Sequence, residues 1–156
     1  MTAYLLVKTL HVISATILFG AGIGIANFMF QGYRTGVPAL RRFAAARTVQ
    51  ADFMFTLPAV IVQPLSGAWL VEAGGFDWTD RWLAMTYALY LVAGACWIPV
   101  VLIQMRMKAM FDREAAGIAL DHAALARLFR TWLALGLPAF GGLIVVFYLM
   151  VAKPTW

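Results

Sequence analysis

Four long apolar runs, over residues 3–30, 51–73, 82–105 and 131–152, constrain this chain more than any other feature. Each reaches the roughly 20 residues that an α-helix needs to cross a hydrocarbon core about 30 Å thick. Of the 156 residues, 63% are hydrophobic and 12% charged, against about 45–50% and about 25% in ordinary soluble domains. Little chain is left for a water-soluble catalytic domain. The fold class expected is therefore all-α, a single integral-membrane four-helix bundle spanning residues 1–156.

The segments between the runs carry their own signals. In the first connection, residues 31–50, Gly32, Gly36 and Pro38 break the chain, and Pro38 can open a helix that runs on into the second span. The third connection, residues 106–130, reads as two helical extensions around Gly117, with Asp121 as a candidate N-cap. Residues 74–81 form only a short turn, so spans two and three are expected as an antiparallel hairpin. The first run is too long, and residues 1–4 too poor in basic side chains, for a cleaved signal peptide; it reads as a retained span.

Charge then sets the orientation. The net charge is +5 with an isoelectric point near 9.8, which in a soluble chain would raise nucleic-acid binding. Here Arg34, Arg41, Arg42 and Arg47 fall in the first connection, and Arg106, Lys108, Arg113, Arg127 and Arg130 in the third. Lys8, Arg81 and Lys153 lie at the other end. The positive-inside rule makes both longer connections cytoplasmic and places both termini outside. Anionic lipid then accounts for the basic charge, and nucleic acid is not an expected partner. Tyr4, Trp69, Trp78, Trp82 and Trp156 would form an outer aromatic belt, and Trp132 would anchor the inner face.

Inside a bilayer, helices associate through small and polar residues, so polarity marks the faces turned inward. Span one offers the stripe Lys8, His11, Ala15, Leu18, Gly22. Span two offers Thr56, Ala59, Gln63, Gly67, Leu70, and span three Thr86, Tyr90, Gly94, Trp97, Val101, Gln104. Gly20 and Gly24 make a GxxxG pair suited to close helix packing. Pro58, Pro64, Pro99 and Pro138 lie within spans, where each removes a backbone bond and shapes its helix.

The sequence has two histidines, and His11 lies about 10 Å below the outer end of span one at ~1.5 Å per residue. An ionisable group at such depth is a functional-site candidate by default. Three readings stay open. His11 could be a neutral structural histidine bonded to Ser14, Gln63, Thr86 or Tyr90. It could be the axial ligand of a b-type haem. It could relay protons at a quinone site. Lys8, Arg81 and Lys153 at the same end could pair with haem propionates. His122, in the inner connection, is too far away to complete a bis-histidine pair, and Met85 is a candidate sixth ligand.

The remaining chemistry is sparse. The lone cysteine, Cys96, excludes an intrachain disulfide and any multi-thiolate metal site, and reads as packing. Asp52, at the inner edge of span two, is expected to pair with Arg47 or with an arginine of the third connection. No nucleophile with an adjacent base, phosphate loop or metal-ligand spacing is present.

The stretches Tyr4-Leu5-Leu6-Val7-Lys8-Thr9-Leu10-His11-Val12-Ile13, Pro58-Ala59 with Gly67-Ala68-Trp69-Leu70, Arg81-Trp82-Leu83 and Val151-Ala152-Lys153-Pro154 carry a resemblance. They resemble a bacterial family of predicted integral-membrane proteins with a domain of unknown function and, more distantly, the HemJ-type protoporphyrinogen oxidases. The second resemblance implies a four-helix inner-membrane haem b protein whose span-one histidine falls on His11. That family's third-span lysine would fall at Thr86 and its polar sulfur position near Thr56, so the resemblance implies the haem scaffold rather than the porphyrinogen reaction. Residues 55–67, Trp97-Ile98-Pro99-Val100 with Gln104, and Pro138-Ala139-Phe140 resemble the first family.

The function expected is thus a haem protein with an electron-transfer or HemJ-like oxidoreductase role. The metal ligand would be His11, in a cofactor site of Lys8, Gln63, Arg81, Met85, Thr86 and Tyr90. Quinone or porphyrin are the expected small-molecule partners, and a homodimer would supply missing walls around a macrocycle. The alternative is a non-catalytic membrane subunit that packs through its small-residue faces.

Overall fold

The computed structural model describes residues 2–154 and is helical throughout its ordered elements. Trp156, expected in the aromatic belt, lies outside the described residues. The elements are α1 (Thr2–Arg34), α2 (Pro38–Ala51), a π turn (Asp52–Thr56), α3 (Leu57–Gly74), α4 (Arg81–Ala115) and α5 (His122–Ala152). Among the described residues, four continuous helical stretches are long and apolar enough to cross a membrane: Thr2–Arg34, Pro38–Gly74, Arg81–Ala115 and His122–Ala152. Their outward faces carry Leu5, Leu6, Ile61, Leu65, Leu91, Leu137 and Val151, all more than half exposed. In water such a surface would drive aggregation; in a bilayer it faces acyl chains.

Local chemistry sets each boundary. Gly36 takes a left-handed φ of 69°, and Pro38 follows at the first turn of α2, where its missing N–H costs nothing. Gly75, at φ 66°, ends α3 and lets the Phe76 N–H reach back to the Val71 carbonyl at 3.1 Å. Gly117 does the same for α4, with the Ile118 N–H bonding the Arg113 carbonyl at 3.0 Å. Asp121 caps α5 as expected, accepting the Ala124 N–H at 2.9 Å.

Span two is longer than the apolar run implied, because α2 feeds through the π turn into α3 without a break. Pro58 explains the π turn. Its ring cannot donate to the Met54 carbonyl and presses against it, and the preceding turn widens so that the Leu57 N–H bonds Asp52 O, five residues back.

Packing is unequal along the bundle. At the basic end, which holds the two arginine-rich connections, Met29, Ala45, Met107, Phe111, Leu125 and Phe129 form the larger core. Arg41, there expected merely as a topology charge, is buried and donates to Glu114 at 2.7 Å. Arg42 and Lys108 both pair with Asp112, at 3.2 and 2.7 Å. At the turn end a smaller cluster joins Val71, Trp82, Leu83 and Leu149.

Helix α1 runs along α3, and α4 along α5, while α2 bridges α1 to α4 at the basic end. The expected hairpin of spans two and three is antiparallel in connectivity, yet the α3 and α4 backbones barely approach one another. Near the turn Val71 packs with Trp82 and Leu83; farther in, the Tyr90 hydroxyl spans the gap and donates to the Val60 carbonyl at 2.7 Å. Pro64, four residues after Val60, has no N–H to offer that carbonyl. In lipid an unpartnered backbone group costs several kcal/mol, so Tyr90 fills a vacancy that a proline opened.

Two expectations about aromatic side chains are corrected. Trp82 is buried against Phe76 with ring centroids 5.8 Å apart, and Trp132 is buried beside Phe129; neither sits in a lipid-facing belt, because each points along its helix's inward face. Trp69 and Trp78 are exposed at the turn end. Gly20 and Gly24 are not packing contacts within the chain, since a Cβ built at either meets no atom within 4 Å.

Two outcomes follow from these contacts. Tyr90→Phe leaves the Val60 carbonyl alone and is expected to cost about 1–3 kcal/mol. The same change in a Pro64→Ala background should cost clearly less, because alanine restores a backbone N–H at that position; equal losses in detergent unfolding titrations would contradict the pairing. At the turn, the Thr79 N–H and hydroxyl both donate to Asp77, at 2.8 and 2.7 Å, which holds the Asp77 carboxyl below the usual range. A lowered carboxyl stabilises the fold above its unfolded-state value and loses that contribution as pH falls through the folded one. Hydrogen-exchange protection of the Thr79 amide should therefore fade on acidification below about pH 4, and in Asp77→Ala be absent at every pH.

Candidate functional site

The three inward stripes meet inside the bundle. Lys8, His11, Ala15 and Leu18 of α1, Gln63, Gly67 and Leu70 of α3, and Thr86 and Tyr90 of α4 line a cavity of about 440 Å³ near the turn end. A second cavity of about 350 Å³ lies toward the basic end and is lined by Gly22, Thr56, Gly94, Trp97 and Gln104, members of the same stripes. Leu18, Tyr90 and Leu143 border both, so the two are stacked along the bundle axis. Volumes of this order suit small-molecule sites.

His11 stands in the wall of the first cavity. Its Nδ1 is 2.8 Å from Ser66 Oγ and its Nε2 is 3.1 Å from the Gln63 amide nitrogen. The Ser66 hydroxyl proton is committed to the Val62 carbonyl at 2.6 Å. With that proton so placed, Ser66 accepts from Nδ1–H and Nε2 accepts the Gln63 N–H. In this arrangement the imidazole is neutral, with its proton on Nδ1. Gly67 makes room for it: a Cβ there would lie 3.2 Å from His11 Cε1. The Gln63 Oε1 atom is buried with no partner, so the amide is held through its nitrogen alone.

Of the expected partners for His11, Gln63 is one. Ser14 instead donates to the Ala59 carbonyl at 3.2 Å, Thr86 to its own helix at the Trp82 carbonyl, and Tyr90 to Val60. Ser66 is a partner that sequence reasoning missed, although it lies three residues beyond Gln63 on the same face of α3.

The cavity is mostly apolar, with Phe19, Phe76, Tyr87 and Phe147 in its walls. Lys8 and Lys153 lie at its edge; Lys153 sits over the Phe76 ring at 4.1 Å, and Lys8 over Tyr4 at 5.9 Å. Arg81 and Met85 do not line it. Met85 is largely exposed on the lipid face, since one residue of offset from Thr86 turns a side chain about 100° around the helix. His122 opens α5 at the opposite end. Among the described residues no cluster of three or more His, Cys, Asp or Glu could hold a metal ion.

The second cavity brings together residues not read as a site. Asp52, 3% exposed, accepts from Trp97 Nε1 at 3.3 Å and from the Gln104 amide, whose oxygen in turn accepts from Trp132 Nε1 at 3.2 Å. The expected ion pair with Arg47 is not made: Arg47 donates to Gln50 at 2.6 Å, and the π turn carries Asp52 toward the bundle interior. Thr56, one turn on, is buried beside Asp52.

A family described as Predicted integral membrane protein (DUF2269) matches residues 5–154. The chain belongs to this family. The match runs across all four spans and takes in His11, Gln63, Ser66 and Asp52. No curated protein and no solved structure matches the chain. The expected likeness to HemJ-type oxidases accordingly gains no support from these comparisons.

Replacing Ser66 with alanine removes one interhelical hydrogen bond. Such bonds contribute about 0.6 kcal/mol on average inside membranes, so Ser66→Ala should lower detergent stability by no more than ~2 kcal/mol. A larger loss would mean that His11 chiefly holds the fold together.

Proposed function

We propose that the cavity at the turn end holds a b-type haem with His11 as an axial ligand, making this chain a redox protein of the bacterial inner membrane. The observation that carries the reading is a deep, neutral imidazole in the wall of an apolar cavity with two lysines at its edge. The donor set fits in three respects. Ser66 fixes the tautomer by accepting from Nδ1–H, as an outer partner of a ligating histidine does. Nε2 carries the lone pair that iron would take, and it accepts from the Gln63 amide. Lys8 and Lys153 could pair with carboxylates near the interface. Ligation requires the Gln63 amide to leave Nε2, and its orphaned oxygen makes Gln63 the least anchored member of the site.

When bound, haem would supply one-electron exchange, with quinone or another small acceptor as partner. The chain's own contribution is to keep His11 neutral, to exclude water with aromatic walls, and to place cations at one edge. These choices tune potential through burial and hydrogen bonding.

A second reading rests on the engagement of both His11 nitrogens and on the uncovered Gly20 and Gly24. In it His11 fastens span one to span two, no cofactor binds, and the small face packs against another membrane subunit. Absorption spectra of the purified protein, oxidised and dithionite-reduced, separate the two. The haem reading expects a Soret band that His11→Ala removes and that Gln63→Ala leaves intact or strengthens. A colourless protein from haem-sufficient cells, or a band indifferent to His11→Ala, would overturn it.

A further inference from the structure

We infer that the cavity toward the basic end is a binding site for an apolar organic cation, with Asp52 as its counter-charge. Asp52 is the one charged residue among those that line this cavity. Its described hydrogen-bond donors, the Trp97 indole and the Gln104 amide, are neutral dipoles, and it makes none of the ion pairs found among the described residues. A carboxylate so buried is costly without a positive partner. A cation entering the cavity supplies it.

The walls match the same ligand class. Tyr90, Trp97, Trp132 and Phe140 present aromatic surface, and aromatic faces attract desolvated cations. Both indole N–H groups are tied into the Asp52–Gln104 network, which fixes the ring orientations before a ligand arrives. Thr56, buried in the same wall, adds a hydroxyl beside Asp52. A Cβ added at Gly94 or Gly136 would meet nothing within 4 Å, so these two glycines help keep the space open. The remaining lining is apolar, which suits an alkyl or aryl body around the charge. The neighbouring cavity has the opposite sign, with Lys8 and Lys153 and, among the described residues, no Asp or Glu in its lining. Charge therefore sorts ligands between the two, and this inference stands whether or not haem binds at His11.

The test uses the full chain in detergent, titrated with benzyltrimethylammonium and followed by calorimetry and by Trp fluorescence. Neopentylbenzene, its uncharged isostere, serves as the control. Saturable binding of the cation is expected, with Asp52→Asn weakening it at least about tenfold. Gly94→Leu, which fills the cavity and leaves Asp52 in place, should abolish it. The visible spectrum of the wild-type protein should not change on titration. Non-saturable uptake, equal binding of the uncharged isostere, or wild-type affinity in Asp52→Asn would each overturn the assignment. Should Asp52→Asn fail to fold, Gly94→Leu and the isostere decide: persistence of cation binding in Gly94→Leu refutes the site.

Discussion

Hydrocarbon offers no hydrogen bonds, and that constraint explains most of what is unusual in this bundle. Pro64 leaves the Val60 carbonyl without its helical partner, and a phenol from another helix meets it. Pro58 forces a wider turn, and the Leu57 N–H finds Asp52 O instead. In each case a proline defect is repaired by a specific neighbour. The repair at Val60 has a geometric effect: a tyrosine side chain is long, so beyond the Val71–Trp82–Leu83 cluster α3 and α4 are joined at a distance. The two stacked cavities occupy the interior that this spacing leaves.

The polar side chains divide into those that repair the fold and those left over. Ser14, Thr86 and Tyr90 all donate to backbone carbonyls and are accounted for by backbone satisfaction. His11 with Gln63, and Asp52 with Gln104, are not. They bond mainly to other side chains, and each pair borders a cavity. Interhelical hydrogen bonds contribute little net stability in a membrane, and these are the groups around which the two proposed ligand sites are built.

Much of this is legible in the sequence because it is local. Stripes of small and polar residues at spacing three or four identify an inward face without knowledge of the neighbours, and all three stripes do line the interior. The four spans, the Asp121 cap and the continuous helix after Pro38 follow from the same local rules. Rotation is harder to read. Arg81 and Met85 share the depth of the site, but a single-residue offset turns them away from it. The partner of Asp52 depends on the π turn, and only Pro58 hints at that widening. The burial of Arg41 against Glu114 depends on how α2 docks on α4, a contact between residues 73 positions apart that no periodicity encodes.

The uneven core has a mechanical corollary. Helices gripped firmly at one extremity and loosely at the other behave as the tines of a fork, whose separation can widen while the handle stays rigid. A guest wedged near the open extremity would act with the greatest leverage, and the lateral pressure of surrounding lipid would oppose it there first.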